Sequence, residues 1–188
     1  MTSDDAISLI ATNFRITAKV EFRNETSFTV EREAFPALAA FCKKELGFDY
    51  LLDISSVDHF GIEPRYEMVY ELYSMERGQH LRLKYPVSEE DATAPTVSNL
   101  WATANWHERE VFDMMGIQFP EHPDLRRILM WEGYPFHPLR KDFPLAGKPS
   151  DMPEVGFTRP APLAGGPFVT LPGTGTVKDR EPRSRQAG

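Results

Sequence analysis

Cysteine is almost absent from this sequence: Cys42 is the only one in 188 residues. A single thiol forms no intrachain disulfide, and it cannot supply the set of thiolates that an iron–sulfur cluster or a structural zinc site takes from its protein. We therefore predict that Cys42 is a buried structural residue and that this chain holds no cluster.

An excess of positive charge is also missing. Lys and Arg number 21 against 28 Asp and Glu, which gives a formal net charge of -7. Polyanions such as nucleic acids attract basic surfaces, so an acidic chain is a poor partner for them. We predict that the chain binds no nucleic acid.

No apolar run in the sequence approaches the roughly 20 residues that a membrane-spanning helix needs. No glycine-rich dinucleotide fingerprint is present either. The opening MTSDDAISLI lacks the basic region and the apolar run of a signal peptide, and it is acidic where a transit peptide would be rich in arginine. The sequence thus predicts a bacterial, cytosolic chain that reaches a membrane only through a partner.

The spacing of apolar residues predicts an α+β fold. Helical spacing occurs in residues 4–14 and again in residues 32–47, where Cys42 lies on the apolar stripe. Alternation predicts a hairpin around RNET and an antiparallel meander formed by DYLLDISSVDHF, RYEMVYELYSM and HLRLKYPV. With one more helix after the meander, we predict a mainly antiparallel sheet with helices packed on one face.

That last helix, predicted over residues 97–115, carries a carboxylate where it should be apolar. At about 100° per residue, Glu108 falls in the middle of the apolar arc. A buried carboxylate is costly unless a cation and hydrogen bonds satisfy it, so we expect a basic partner from elsewhere in the chain. Arg109 and Asp113 are spaced for an ion pair along the helix, and Glu110 points away from the arc.

Glu108 has two interpretations. It either belongs to a buried ion-pair network that fixes the helix to a loop, or it is a general acid/base with a raised pKa. The structural interpretation is favoured, because no nucleophile and no metal-ligand motif accompanies the acid.

Residues 119–145, called the strap below, are rich in proline, which forbids a long helix or a central strand. A short helix is expected at most over DLRRILM, residues 124–130. The strap nevertheless contains too many large apolar residues for a disordered loop, so we predict that it packs against the domain. Its arginines are the expected partners of Glu108.

Two histidines of the strap each precede a proline. His122 and His137, together with Asp124, could be imagined as a metal site. Metal ligands usually lie close together on one element, whereas these two histidines are far apart in irregular chain. Hydrogen-bonded histidines are the favoured interpretation.

Two blocks of this region closely resemble a known signature. EREVFDMMGIQFPEHPDLRRIL, residues 108–129, and HPLRKDFPL, residues 137–145, are similar to the thirty-kilodalton subunit, or C subunit, of the proton-pumping NADH:quinone oxidoreductase, respiratory complex I. The resemblance continues upstream in FDYLLDISSVDHF, YEMVYELYS and ANW, so that it covers most of residues 28–145.

The resemblance implies a peripheral-arm subunit on the cytoplasmic side of the bacterial inner membrane, beside the quinone-site and iron–sulfur subunits. The assembly would pass electrons from NADH through FMN and iron–sulfur centres to quinone and translocate protons. This chain would bind none of these cofactors and no metal, and would have no active site of its own. The signature positions carry over as structural or interface residues: Glu108, Arg109, Glu110, Asp113, His122, Asp124, Arg126, Arg127, Arg140, Lys141 and Asp142.

After the strap the composition changes to proline and glycine. We therefore predict a domain over residues 1–145, which includes the strap, and an extended arm over residues 146–188. Bulky apolar residues recur among the prolines of residues 150–171, so we expect that part to lie in a groove on a neighbouring subunit. The last dozen residues are expected to be disordered.

Three alternatives stay open from the sequence. The chain could be the homologous scaffold subunit of a membrane-bound hydrogenase or a related quinone reductase. It could instead be a free-standing hydrolase or metal enzyme that uses Glu108, Glu110 and His122. The third alternative is a non-catalytic adaptor outside respiration.

Overall fold

The computed structural model describes residues 3–23 and 25–144. Residues 1–141 form one unit of the chain and residues 142–188 a second, of which only residues 142–144 are described. The predicted arm over residues 146–188 lies outside the described residues and stays a prediction, as does the division after residue 145. In the part of the chain that is described, no helix combines the length and the apolar character needed to cross a membrane.

Within residues 3–23 and 25–141, the first unit contains three helices and five strands. In chain order they are α1 Ser3–Asn13, β1 Ile16–Phe22, β2 Glu25–Val30, a 3-10 turn Arg32–Ala34, α2 Phe35–Lys44, β3 Tyr50–Asp58, β4 Tyr66–Ser74, β5 Gln79–Val87 and α3 Ala104–Met115. The irregular strap follows α3.

The strands form a single sheet in the order β1-β2-β5-β4-β3. The hairpin β1–β2 and the meander β3–β4–β5 are antiparallel, as the alternating sequence patterns predict. β2 and β5 run parallel where the hairpin joins the meander. The predicted mainly antiparallel α+β fold is confirmed.

The two faces of the sheet differ in burial because the side chains of a strand alternate between them. On one face, alternate residues of β4 and β5 are almost fully buried beneath the helices, as Tyr70 shows. On the other face, Lys84 pairs with Glu67 at 2.9 Å and Arg82 pairs with Glu71. The sheet therefore packs its helices on one side only.

Helix α2 anchors the core against the sheet. The ring of Phe35 lies 4.3 Å from that of Tyr70 and 4.6 Å from that of Tyr85. Cys42, on the same side of α2, is fully buried, and this burial raises the pKa of its thiol. The prediction of a buried cysteine is confirmed, and a raised pKa keeps the group a thiol.

Helix α3 is shorter than its sequence pattern predicts. It begins at Ala104 rather than at residue 97, and the segment before it consists of separate turns closed by bonds such as Leu100 N–H to Val97 O at 2.9 Å. The reason is tertiary: the Val97 amide donates to the Glu108 side chain at 2.7 Å, which folds this segment back along α3. A local helical pattern is overridden by a contact with the helix itself.

Candidate functional site: helix α3 and the strap

The charged residues of α3 lie on different sides of the helix, and the residues on each side contact different groups. Glu108 and Asp113 are completely buried and Arg109 is 5% exposed, whereas Glu110 is exposed. Glu110 thus faces away from the core, as predicted. The three buried groups contact two different segments of the chain.

Glu108 is held by the segment that precedes α3. Its Oε2 accepts a hydrogen bond from the Thr96 hydroxyl at 2.6 Å, and its Oε1 accepts one from the Val97 amide at 2.7 Å. Within residues 3–23 and 25–144, no lysine or arginine forms an ion pair with it. The prediction that an arginine of the strap neutralises Glu108 is therefore wrong. A hydroxyl and a backbone amide take the place of the cation.

Without a cation, burial determines the charge of Glu108. Desolvation raises the pKa of its carboxyl to about 7, although the hydrogen bonds from Thr96 and Val97 act in the opposite direction. The group titrates near neutral pH. His122 lies close, with Nε2 3.9 Å from Glu108 Oε2, and both side chains are fully buried.

Neither side chain of this pair has any surface exposed to solvent. A groove of about 350 Å³ passes nearby, lined among others by Arg32, Pro36, Thr96 and Pro120, but neither Glu108 nor His122 lines it. Glu110, the third residue of the hydrolase alternative, lies on the exposed side of α3. The structure thus brings together only two of the three residues that this alternative needs, and encloses them.

Asp113 binds the middle of the strap. Its Oδ2 accepts hydrogen bonds from three consecutive amides, those of Ile128 at 3.1 Å, Leu129 at 2.7 Å and Met130 at 2.8 Å. Its Oδ1 pairs with Arg127 Nη1 at 2.5 Å. Burial alone would raise the pKa of Asp113, but these hydrogen bonds outweigh it and lower that pKa. Asp113 is a buried carboxylate whose two oxygens are both bound to the strap.

Two local arrangements that the sequence permits do not form around Asp113. The ion pair between Arg109 and Asp113 along α3 does not form, because Arg127 takes the carboxylate. The short helix over residues 124–130 does not form either, because the amides that would extend it are turned toward Asp113. In both cases a contact between distant residues replaces a bond between near ones.

Arg109 binds the strap backbone instead. Its Nε donates to the carbonyl of Arg126 at 3.1 Å and its Nη2 to that of Arg127 at 3.2 Å. The guanidinium also lies over the ring of Trp106, 5.2 Å from the centroid. Arg109 and Asp113, one turn apart, therefore bind neighbouring carbonyls and amides of the same segment.

The end of the strap caps the C-terminus of α3. The last four carbonyls of a helix have no partner inside it, and cations are favoured there by the helix dipole. Here each of the four carbonyls accepts a hydrogen bond. That of Phe112 accepts from the Gly116 amide at 2.9 Å, and that of Asp113 accepts from Arg127 Nη1 at 3.1 Å and His137 Nδ1 at 3.0 Å. The carbonyl of Met114 accepts from the Leu139 amide at 3.1 Å, and that of Met115 accepts from Arg140 Nε at 2.6 Å.

The two histidines serve opposite ends of α3. His122 Nε2 lies 3.1 Å from the carbonyl of Asn105 and its Nδ1 accepts from the amide of Asp124, whereas His137 contacts Asp113. Burial lowers the pKa of His137, and the neighbouring arginines lower it further against the effect of the Asp113 carbonyl. The structure therefore does not bring His122 and His137 together, and it favours a neutral His137 that donates from Nδ1.

The remaining signature residues lie at the edges of this arrangement. Asp124 pairs with Arg126 at 2.8 Å on the surface. The amide of Lys141 donates to Asp58 Oδ2 at 2.8 Å, while the Lys141 side chain is exposed, and Asp142 is exposed in the second unit. Lys141 therefore contributes its backbone rather than its charge.

Asp58 and Arg65 form a buried ion pair that the sequence reasoning missed. Arg65 bridges both carboxylate oxygens of Asp58 at 2.9 and 3.0 Å, and this hydrogen bonding lowers the pKa of Asp58 despite its burial. Asp58 ends β3 and Arg65 lies just before β4 begins, so opposite charges beside the turn of a predicted hairpin were the available signal. The pair binds the strap backbone at Lys141.

The strap packs closely against Gly116, the residue that follows α3. Its φ is +77°, and an added Cβ would meet the His137 ring at 2.7 Å and Arg140 more closely still. We expect Gly116→Ala to lower the free energy of unfolding by about 2 to 4 kcal/mol, because both the backbone and the space exclude a side chain. Urea unfolding measures this loss. Gly61→Ala is the control, since Gly61 also has a positive φ but open space around its Cβ; equal losses in the two variants would contradict the steric argument.

These contacts define a class of domain: an α+β sheet domain in which one charged helix binds residues of a proline-rich strap. A model of the family "Respiratory-chain NADH dehydrogenase, 30 Kd subunit" matches residues 28–149. The chain belongs to this family.

Named relatives agree with the family. The chain is 49% identical over 127 residues to the C subunit of the NADH-quinone oxidoreductase of Geotalea uraniireducens (strain Rf4), a match that covers 68% of this chain and 77% of the relative. It is 43% identical over 145 residues to the protein of the same name from Roseiflexus sp. (strain RS-1), covering 76% and 80%. These names favour the NADH enzyme over the hydrogenase alternative.

Solved structures support the fold. A structure described as the trypsin-resistant fragment of Nqo5 superposes with a TM-score of 0.55 at 34% identity, covering 65% of this chain and 95% of that one. A chain from the membrane-bound sulfane sulfur reductase, an archaeal respiratory membrane complex, superposes with a TM-score of 0.65 at 25% identity, covering 76% and 85%. This architecture is therefore also found in an archaeal respiratory complex.

Proposed function

We propose that this chain is a non-catalytic structural subunit of the peripheral arm of an NADH:quinone oxidoreductase. In that assembly, electrons pass from NADH through FMN and iron–sulfur centres to quinone, coupled to proton translocation. The chain lies on the cytoplasmic side of the membrane, beside the quinone-site and iron–sulfur subunits, and its contact with the membrane is indirect.

One observation carries the structural role: the buried charges of the signature are bound to the chain itself. Asp113 and Arg109 are bound to strap amides and carbonyls, and Arg140 and His137 are bound to the last turn of α3. A catalytic group would need an accessible face and a reacting partner. These groups instead keep an irregular segment in one conformation.

The chain's own residues offer little to the cofactors of the assembly. Its single cysteine is buried in the core with a raised pKa, so it is a poor ligand for a cluster. Within the described residues, no group of three or more His, Cys, Asp or Glu side chains is arranged to hold a metal ion. We therefore assign FMN, the clusters and the quinone to neighbouring subunits.

The test is a pull-down of the tagged chain from detergent-solubilised membranes of its own host. We expect NADH:quinone reductase activity, FMN and iron–sulfur subunits to co-elute with the tag, and the purified chain alone to oxidise no NADH. An untagged strain is the control. Elution of hydrogenase subunits, or of the chain by itself, would contradict the proposal.

A further inference from the structure

Three large apolar side chains are exposed where α3 meets the strap. Trp106 is 60% exposed, Leu129 62% and Trp131 39%. We call these three residues the strap patch. They belong to one structural arrangement, because Trp106 lies against Arg109, which binds the carbonyls of residues 126 and 127, and Leu129 follows closely in the strap.

The surroundings of Trp106 and the backbone at Leu129 are fixed by contacts beneath them. The indole of Trp106 lies over the guanidinium of Arg109, whose Nε and Nη2 are both bound to strap carbonyls. The amide of Leu129 is bound to Asp113 at 2.7 Å. The Trp106 ring and the backbone of Leu129 therefore have less conformational freedom to lose on binding.

Trp131 rests on an aromatic support of the same kind. Its ring meets that of Tyr134 edge-on, with the centroids 4.5 Å apart. Tyr134 is itself 6% exposed and lies under Arg127, at 5.8 Å, and Arg127 is bound to Asp113. Tryptophans presented in this way are the side chains that most often dominate the energy of a protein interface.

Exposed acids flank the strap patch. Glu110 lies one turn from Trp106 on α3, and Glu132 is next to Trp131 in the chain; both are exposed. The nearby Arg126 does not balance them, because it is paired with Asp124. The rim of the strap patch therefore carries negative charge, and it fits a surface whose rim carries lysine or arginine.

We infer that the strap patch is a docking surface for a neighbouring subunit of the same oxidoreductase, which meets it with apolar pockets inside a basic rim. The inference rests on the proposed function, because the partner is a subunit of that complex. It also explains the buried charges of the signature, because the contacts of Arg109, Asp113 and Arg127 fix the segments that carry the strap patch.

The first experiment removes the anchors. Trp106→Ala/Leu129→Ala is compared with Val20→Ala/Phe22→Ala, which removes two similarly exposed apolar residues, 59% and 66%, from the edge strand β1. Tagged chains are purified from host membranes, and the NADH:quinone reductase activity that co-elutes per tag is measured. We expect a loss of about tenfold or more for the first variant and less than about twofold for the second. Thermal unfolding of each chain shows that the loss is not a loss of fold.

The second experiment tests the rim through its two exposed acids, Glu110 and Glu132. Glu110→Lys/Glu132→Lys is compared with Glu76→Lys/Glu90→Lys, which makes the same change of net charge at other exposed sites. We expect the first variant to lose co-elution and the second to keep it. Equal retention in both charge variants, or equal retention in both alanine variants, would overturn the inference.

A photo-crosslinker at position 129 identifies the occupant. We expect one adduct, with a lysine- or arginine-bearing peptide of another subunit of the complex. An adduct with a second copy of this chain, or no adduct in an intact complex, would overturn the inference while the proposed function stands. If the unaltered tagged chain fails to co-elute with the reductase, the proposed function itself fails.

Discussion

Replacing Asp113 by asparagine is expected to lower the free energy of unfolding by about 3 to 5 kcal/mol, the range for removing one partner of a buried charge pair. The carboxylate accepts from three strap amides and from Arg127, and its side chain is fully buried. Asparagine offers one acceptor oxygen and an NH₂ group that accepts nothing. The variant therefore leaves Arg127 without its counter-charge, and the new NH₂ group must face either Arg127 or the strap amides, neither of which it can accept from.

We expect this variant to open the strap locally before the whole domain unfolds. With its central anchor lost, the strap should open around residues 126–130 while the sheet persists. Hydrogen exchange of the amides of residues 128–130 measures this directly, and trypsin cleavage after Arg126 and Arg127 reports it independently. Both rates should rise in Asp113→Asn under conditions where the β4 and β5 amides stay protected.

Asp124→Asn is the matched control. Asp124 also pairs with an arginine of the strap, but its side chain is 54% exposed and that of Arg126 is 65% exposed. An exposed pair contributes at most about 1 kcal/mol, so this variant should differ little from the unaltered chain. Equal effects of the two variants on stability and on exchange would show that Asp113 does not anchor the strap.

The parts of the fold that sequence patterns predict are those set by burial of alternate residues. The strands of the meander, the stripe of α2 with Cys42 and the exposure of Glu110 all follow from a period of two or of 3.6 residues. These patterns state which side of an element is buried. They do not state which distant backbone group lies opposite a given side chain.

The failures around α3 follow from that difference. Spacing along a helix favours an ion pair between Arg109 and Asp113, and helical periodicity favours a helix from residue 97, but both compete with contacts made across the fold. Asp113 binds amides 15 to 17 positions away, and Glu108 binds an amide 11 positions before it. No local pattern contains such pairings.

Glu108 shows a second limit of prediction from the sequence, which concerns the charge of a buried acid. The rule that a buried carboxylate needs a cation led to a strap arginine, yet the carboxyl group has another solution, which is to bind a proton. Thr96 and Val97 supply hydrogen bonds, and burial moves the pKa of the carboxyl to about 7. Sequence alone does not distinguish a paired charge from a protonated acid.

Protonation of Glu108 makes the stability of the domain depend on pH in a predictable direction. The folded state holds this proton with a pKa of about 7, against an ordinary value of 4.5. Between these two values the folded state binds more protons than the unfolded state, so stability falls as pH rises. The stability that Glu108 contributes is fully present below pH 4.5 and is lost as the pH rises through about 7.

The size of this pH-dependent stability follows from the difference between the ordinary pKa of 4.5 and the folded-state pKa of about 7, multiplied by about 1.4 kcal/mol for each unit of pKa. The result is roughly 3 kcal/mol of stability that Glu108 loses between pH 5 and pH 8. Tyr70 and Tyr85, which lie near it in the core, do not titrate in this window, because burial raises their pKa values further.

Glu108→Gln should remove this pH dependence. Glutamine can accept from the Val97 amide and donate to the Thr96 oxygen, whose own proton can then go to the Ser98 hydroxyl at 2.8 Å. We expect the variant to match the unaltered chain near pH 5 and to exceed its free energy of unfolding by roughly 2 to 3 kcal/mol at pH 8.

Urea unfolding at pH 5, 6, 7 and 8 measures the difference between the two chains. Glu110→Gln, two residues away on the exposed side of α3, is the control, and its difference from the unaltered chain should stay constant across the series. His122, 3.9 Å from Glu108, is the neighbour whose protonation would change the outcome. If Glu108 were ionised against a charged His122, Glu108→Gln would lower stability near neutral pH instead of raising it. The sign of the difference at pH 7 to 8 therefore decides whether the centre of this helix holds a proton or a buried ion pair.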